Sequence, residues 1–330
     1  MLLDMAGAGP FERDFVEGPD SAARHEAPSE LASHSRAGLV VAVWGPTGAP
    51  GRSTVAINVA AELATRGAAV TLADADTYGG SIATMLGLLD ESPGFAASGR
   101  LIERGEYSLA EFERLTQNVA AGAGWLRVLG GLSRADRWPE VGTARVSGLL
   151  EALKEWNDAI VLDVGFNLER DEEISSDIDA PRRNAATLAS LSSADVVLAV
   201  ASADPVGIAR FLRGHHELRR VAPDARVIVV VNRLRRGAIG SGAARQISEV
   251  LQRFGGIRDP WYLPFDLDAT DAALSAAGTL AEAAPRSAIR AAIRELVDAE
   301  FPAAAAPDSG ARRGRTVRRR VRREESRAGH

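Results

Sequence analysis

The stretch Leu39-Val40-Val41-Ala42-Val43-Trp44-Gly45-Pro46-Thr47-Gly48-Ala49-Pro50-Gly51-Arg52-Ser53-Thr54 decides how the rest of the chain is read. An apolar run, Leu39 to Trp44, predicts a buried strand. A turn rich in glycine and proline follows it, and from Val55 to Arg66 apolar residues recur at helical spacing. In a strand–turn–helix unit of this kind the backbone N–H groups of the turn and the positive end of the helix dipole point at one spot, which makes it an anion site. Gly48 and Gly51 let the backbone approach a phosphate closely. Ser53 can offer its hydroxyl to a magnesium ion held by that phosphate. The stretch reads as a phosphate-binding loop in altered form.

The alteration is specific. A standard loop reads G-x-x-x-x-G-K-[ST], whereas here Pro46 holds the first glycine position and Arg52 the lysine position. Arginine keeps the charge and can grip phosphate oxygens with two N–H groups, but it is larger and planar, so it does not simply replace a compact ammonium. Composition pushes in the same direction, because Lys154 is the only lysine among 39 basic residues. The change weakens an argument for catalysis more than one for nucleotide binding.

The chain's 330 residues include no cysteine, which removes disulfides, thiolate catalysis, zinc–thiolate sites and iron–sulfur clusters together. No apolar run approaches the roughly 18–20 residues that span a bilayer, and Met1-Leu2-Leu3-Asp4 lacks the basic start of a signal peptide. The expectation is a cytoplasmic protein. The net charge of −5 is unevenly spread: residues 1–37 carry seven acids and three arginines, and residues 305–330 nine arginines and three acids. Residues 1–37 read as a disordered acidic leader, 38–304 as the folded domain, and 305–330 as a disordered Arg-rich tail. Such a tail can hold DNA, RNA or anionic lipid by counterion release and simple attraction; the plain alternative is a solubilising tail.

Along the folded part, Ala69–Ala73 predicts a second strand running into Asp74-Ala75-Asp76-Thr77-Tyr78. Helical pieces are expected around Ile82–Leu89 and Leu109–Leu115, joined by a loop, then a short strand at Leu126–Leu129 and a helix over Val146–Trp156. Ala159-Ile160-Val161-Leu162-Asp163 is a strand closing on an acid, similar to the element whose aspartate helps hold magnesium; an acid that merely opens a turn is the bland alternative. Glu169–Arg183 reads as a loop. Val196–Val200 and Val227–Val231 are continuous apolar strands suited to a covered parallel sheet, with a helix over Val206–Arg220 between them and Asn232 after the second. Trp261–Pro264 predicts the last strand, before helices near Ala269–Ala277 and Pro285–Ala299. Strand–helix alternation of this kind predicts one α/β domain, a doubly wound and mostly parallel sheet with helices on both faces. Trp125, Trp138, Trp156 and Trp261 are expected in core or edge packing, and His215-His216 as a surface pair.

The order of altered loop, Asp-x-Asp, Asp163, Asn232 and Leu263-Pro264 resembles the MinD/ParA family of P-loop ATPases, including the pilus-assembly relatives CpaE and TadZ, over about residues 38–300. The resemblance implies an ATP-binding site made from Thr47, Gly48, Ala49, Gly51, Arg52, Ser53, Thr54, Asn232 and Pro264. Ser53 and Asp163 fall where that family holds Mg2+, Asp76 where it positions the attacking water, and Asn232 and Pro264 where it contacts adenine. Thr47 and Arg52 stand at the family's two lysine positions, which implies slow hydrolysis or none. By resemblance such proteins form homodimers around ATP and place a cargo protein on a nucleoid, membrane or pole. For this chain, that implies partners in nucleoid DNA or anionic membrane through residues 305–330, and a peripheral place at the nucleoid or the inner membrane face. The iron–sulfur relatives are excluded for want of cysteine.

Two other readings stand beside this one. Gly45 to Gly51 also fits a loose G-x-x-G-x-x-G dinucleotide loop, with Asp74 at the distance of a ribose-binding acid, giving a non-catalytic NAD(P) sensor. A scaffold that keeps the fold without nucleotide is the third, since Pro46 and Pro50 remove two N–H donors from the loop.

Overall fold

The alternation of apolar strands and amphipathic helices folds as the pattern demands. The computed structural model describes residues 37–48, 50–88, 94–169, 182–235 and 242–302; the acidic leader up to Arg36, Ala49, residues 89–93, most of the Glu169–Arg183 loop, residues 236–241 and the Arg-rich tail lie outside the described residues.

The strands are β1 (Leu39–Trp44), β2 (Val70–Ala75), β3 (Gln117–Ala121), β4 (Gly124–Leu129), β5 (Ala159–Val164), β6 (Val196–Ser202), β7 (Arg226–Leu234) and β8 (Trp261–Pro264). They form one sheet in the order β3-β4-β2-β5-β1-β6-β7-β8. Among the described residues only the β3–β4 edge pair is antiparallel, closed by a two-residue turn in which Gly122 takes φ 61°. Every other pairing is parallel. Chain connections run through α1 (Arg52–Thr65), α2 (Ile82–Met85), α3 (Gly94–Arg104), α4 (Leu109–Leu115), α5 (Thr143–Trp156), α6 (Ala185–Ser192), α7 (Pro205–Val221), α8 (Ala243–Gly255), α9 (Leu267–Ser275), α10 (Leu280–Ala283) and α11 (Ala288–Glu300), with a 3-10 turn at Ala135–Glu140.

Strand periodicity divides the core into two layers. Val40, Ala42 and Trp44 of β1 face the cluster that holds Phe95, Leu149, Leu153 and Phe211, from α3, α5 and α7. Val41 and Val43 face the other, with Val55 and Val59 of α1 and Ile293 and Leu296 of α11. A sheet covered on both faces needs continuous apolar strands, and β1, β2 and β5 are buried almost throughout.

Some expectations are corrected. The stretch read as a connecting loop before Leu109 contains α3, which buries Phe95, Ala96 and Ala97. The edge strand β3 and helices α6, α8 and α10 were not anticipated. Trp125 is 59% exposed on β4 rather than packed.

Polar contacts staple α11 to α1. The Glu62 carboxylate on α1 is buried and accepts from Arg290 Nε at 2.7 Å, while Arg66 Nη1 donates to the carbonyls of Val297 and Phe301, both at 3.1 Å. Asn58 Oδ1 accepts from Leu280 N at 2.8 Å and so holds α10 as well. Removing one member of a buried pair strands the other charge. Glu62→Ala should therefore lower the unfolding free energy in urea by about 3 kcal/mol; a loss below about 0.5 kcal/mol would mean that solvent screens the pair.

Candidate functional site

Parallel strands deliver their carboxyl ends to one edge of the sheet, where open α/β folds bind ligands. Trp44 leads there into the loop, Asp74 and Asp76 follow from β2, Asp163 from β5, Ser202 from β6 and Asn232 from β7. Register sets the closest pairing: Asp74 lies directly opposite Asp163 on neighbouring strands, and Val43 opposite Asp163 on the other side.

The loop itself is held in a conformation that needs glycine. Gly48 has φ 107° and Gly51 φ 94°, in the left-handed region that costs other residues. A Cβ added at Gly51 would strike Asn232 Nδ2, because that amide reaches under the loop to donate to the Pro50 carbonyl at 2.8 Å. Gly51 caps α1 without a side-chain hydrogen bond, and the first turn holds no acid. The N-terminal N–H groups of α1 are left to face an anion.

Ser53, in that first turn, donates through Oγ to Asp163 Oδ2 at 2.6 Å. It accepts in turn from Ser81 Oγ at 3.1 Å, a neighbour that nothing in the sequence marks. The other Asp163 oxygen, Oδ1, is buried without a partner. A hydroxyl beside an orphaned carboxylate oxygen is the oxygen donor set that magnesium takes from a phosphate loop, with phosphate and water completing its shell. The residues therefore fit Mg2+ together with nucleotide. Among the described residues no cluster of three or more His, Asp or Glu could hold a metal without it.

Arg52, read from the sequence as the group that neutralises phosphate, is paired within the protein. Its Nη2 pairs with Asp76 Oδ2 at 3.1 Å and its Nη1 donates to the Gly45 carbonyl at 3.0 Å; its Nε is buried and unpartnered. The other Asp76 oxygen accepts from the N–H groups of Tyr78 and Gly79, at 2.8 and 3.2 Å. Both oxygens of the proposed water-positioning acid are thus engaged. Thr47 is exposed and Ala49 lies outside the described residues. Thr54 turns its carbonyl to Asn58 Nδ2 at 2.8 Å. Pro264 closes β8 opposite Leu234, next to the β7 end that carries Asn232, so these two stay near one another but Asn232 is committed to the loop.

The site also weighs against a dinucleotide reading. In a Rossmann unit the second strand adjoins the first, whereas here β5 lies between β1 and β2. Asp74 is buried, and its oxygens accept from Asp76 N and Ile82 N, each at 3.1 Å, leaving it turned into the protein rather than toward a ribose.

Burial dominates the acids' titration. It pushes Asp163 up to about 8, with the charge of Asp74 beside it adding to the rise, and Asp74 up to about 7 against the pull of the Ile82 and Asp76 N–H groups. Without a cation the folded state holds protons that the unfolded chain releases near the usual 3.8. The folded state then binds more protons, so stability falls as pH rises through that interval and levels off above the folded values. Urea denaturation of the protein without metal at about pH 5.5 and about pH 8 should show a smaller drop for Asp163→Asn than for the native chain; an equal drop would place the titration elsewhere.

Residues 37–103 match the ParA family model, described as a NUBPL iron-transfer P-loop NTPase. The iron-sulfur cluster carrier protein of Synechocystis is 55% identical over 49 residues, 15% of this chain and 14% of that protein, so the match spans only a small part of the relative's length. Across the fold, the ParA family ATPase from Chlorobium tepidum superposes with a TM-score of 0.63 at 17% identity, covering 80% of this chain and all of that one. The septum site-determining protein MinD of Pyrococcus horikoshii, solved with Mg-ADP, gives 0.58 at 16% identity, covering 79% and 96%. The chain has the fold of the ParA/MinD P-loop ATPases and, over residues 37–103, the sequence signature of the ParA family.

Proposed function

We propose that this chain is an ATP-binding, magnesium-dependent switch of the ParA/MinD kind, a weak ATPase that works as a homodimer in spatial positioning, whether chromosome or plasmid partitioning, septum placement or pilus assembly. One observation carries the reading: Ser53 and the orphaned oxygen of Asp163 meet at the uncapped start of α1. In this reading Gly48, Ala49, Gly51 and Thr54 cradle phosphate through their backbone, Ser53 and Asp163 hold the ion, and Asn232 and Pro264 flank the base. Magnesium, when bound, offsets phosphate charge. Asp76 can orient water only after releasing Arg52, which supports slow turnover. The tail, residues 305–330, is proposed to meet nucleoid DNA or anionic membrane from the cytoplasm, and the cargo is a protein this chain does not identify. Among the described residues no helix is long and apolar enough to cross a membrane.

The local identity to iron–sulfur carriers does not extend to their cargo, because this chain has no cysteine to ligate a cluster. A second reading, a scaffold that binds no nucleotide, is favoured by the Arg52–Asp76 pair, which closes the loop's cation on an internal acid.

Equilibrium binding of ATP, ADP and NAD(P)H, with and without magnesium, separates these. Magnesium-dependent ATP binding that Ser53→Ala and Asp163→Ala each weaken about tenfold or more supports the switch. Asp76→Ala should keep that binding and lose whatever turnover the native chain shows. Absence of any nucleotide binding by the native chain would leave the scaffold.

A further inference from the structure

The loop's own cation is turned inward, and the position of the family's other lysine is the neutral Thr47. A nucleoside triphosphate brings several negative charges, against which a helix dipole supplies about half a charge. The dipole alone leaves most of that charge unmatched, and α7 carries a further positive side chain beside the loop. A Cβ added to Gly48 would lie 2.5 Å from Nη1 of Arg210 and 3.7 Å from its Cζ, so the guanidinium lies directly over the exposed backbone of the loop. Arg210 and Gly48 share the wall of a cavity of about 180 Å³ with Thr47, Pro50, Ser202 and Asp204.

Arg210 is exposed and makes no hydrogen bond or ion pair with any described residue, unlike Arg52, which is committed to Asp76 and Gly45. The one carboxylate in the cavity wall is engaged elsewhere: Asp204 caps α7 by accepting from Gly207 N at 2.8 Å, and against the upward push of burial its hydrogen bonds with Ser202, Gly207 and Val206 and the charge of Arg235 hold its carboxyl below the usual range. A guanidinium held over a glycine loop, with its N–H groups free, suits bidentate contact to phosphate oxygens.

We infer that Arg210 binds the phosphate chain of the nucleotide held by the 48–54 loop, supplying from α7 the charge that position 47 lacks. The inference rests on the loop binding a nucleotide, and the experiment keeps the two apart. Binding of Mg-ATP and Mg-ADP to the full chain is measured at several salt concentrations for the native protein, Arg210→Ala, Arg210→Lys and, as a reference, Ser53→Ala. Arg210→Ala should weaken Mg-ATP about tenfold or more and flatten the salt dependence, while Arg210→Lys, which keeps the charge but loses the fork, should weaken it less. Because the side chain is exposed and unpaired, the melting temperature should stay at the native value, and Arg210→Gln provides a second neutral variant should Arg210→Ala fail to fold. Affinity within about twofold of native for Arg210→Ala, with Ser53→Ala impaired, overturns the role of Arg210 and leaves the loop reading standing. No binding by the native chain overturns both.

Discussion

The hydrogen bond from Ser53 to Asp163 joins the start of α1 to the end of β5, and the site is built around it. It fixes the helix N-terminus against the one strand that lies between β1 and β2. Strand register brings Asp74 and Asp163 side by side, and burial pushes both carboxyls well above the usual carboxylate range. Two carboxylates so close are costly as anions in a dry interior. Asp74 is compensated by backbone N–H groups, but one oxygen of Asp163 has no partner. A native fold that leaves such a group unsatisfied stores an affinity for something that would satisfy it.

Arginine in the lysine position changes what the loop does before any ligand binds. A lysine ammonium can follow phosphate as a flexible point charge, whereas a planar fork holds two acceptors at once. Arg52 does this with Gly45 and Asp76, one an element of the loop and the other the acid at the end of β2. The contact ties the loop after β1 to the acid after β2. Binding must then either exchange Arg52's acceptors or leave them in place and draw charge from outside the loop.

The parallel sheet was legible because its strands are short, apolar and closed by turn residues, and because acids at the ends of two of them cannot easily be core residues. Asp74, Asp76 and Asp163 were all found that way. What was hidden depended on tertiary partners. The strand β3, Gln117-Asn118-Val119-Ala120-Ala121, has little intrinsic strand preference and exists through its pairing with β4. The helix α3 lies in a stretch of Gly, Ala and Ser that reads as loop, and it is held by packing of Phe95 and its neighbours against α5. For α8 the signal was present, with Ile247 and Leu251 one turn apart and Gly256 closing the helix at φ 64°. Arg210 could not be singled out among so many arginines, since nothing local to it marks the side of α7 that meets the loop.

Short identity and whole-fold likeness carry different information here. The family-model match over residues 37–103 takes in β1, the glycine-rich loop and α1, while the 49 residues shared with a cluster carrier are 15% of the chain. A chain without cysteine lacks the thiolate ligands that an iron–sulfur cluster would need. The likeness to ParA and MinD proteins, by contrast, spans most of the chain at low identity, so it fixes where the strand ends and helices lie without fixing which side chains they carry. Thr47 and Arg52 stand where a lysine-based loop would carry ammonium groups, so the charge beside this loop is one guanidinium committed to Asp76 and Gly45 and a second, Arg210, that bonds to no described residue.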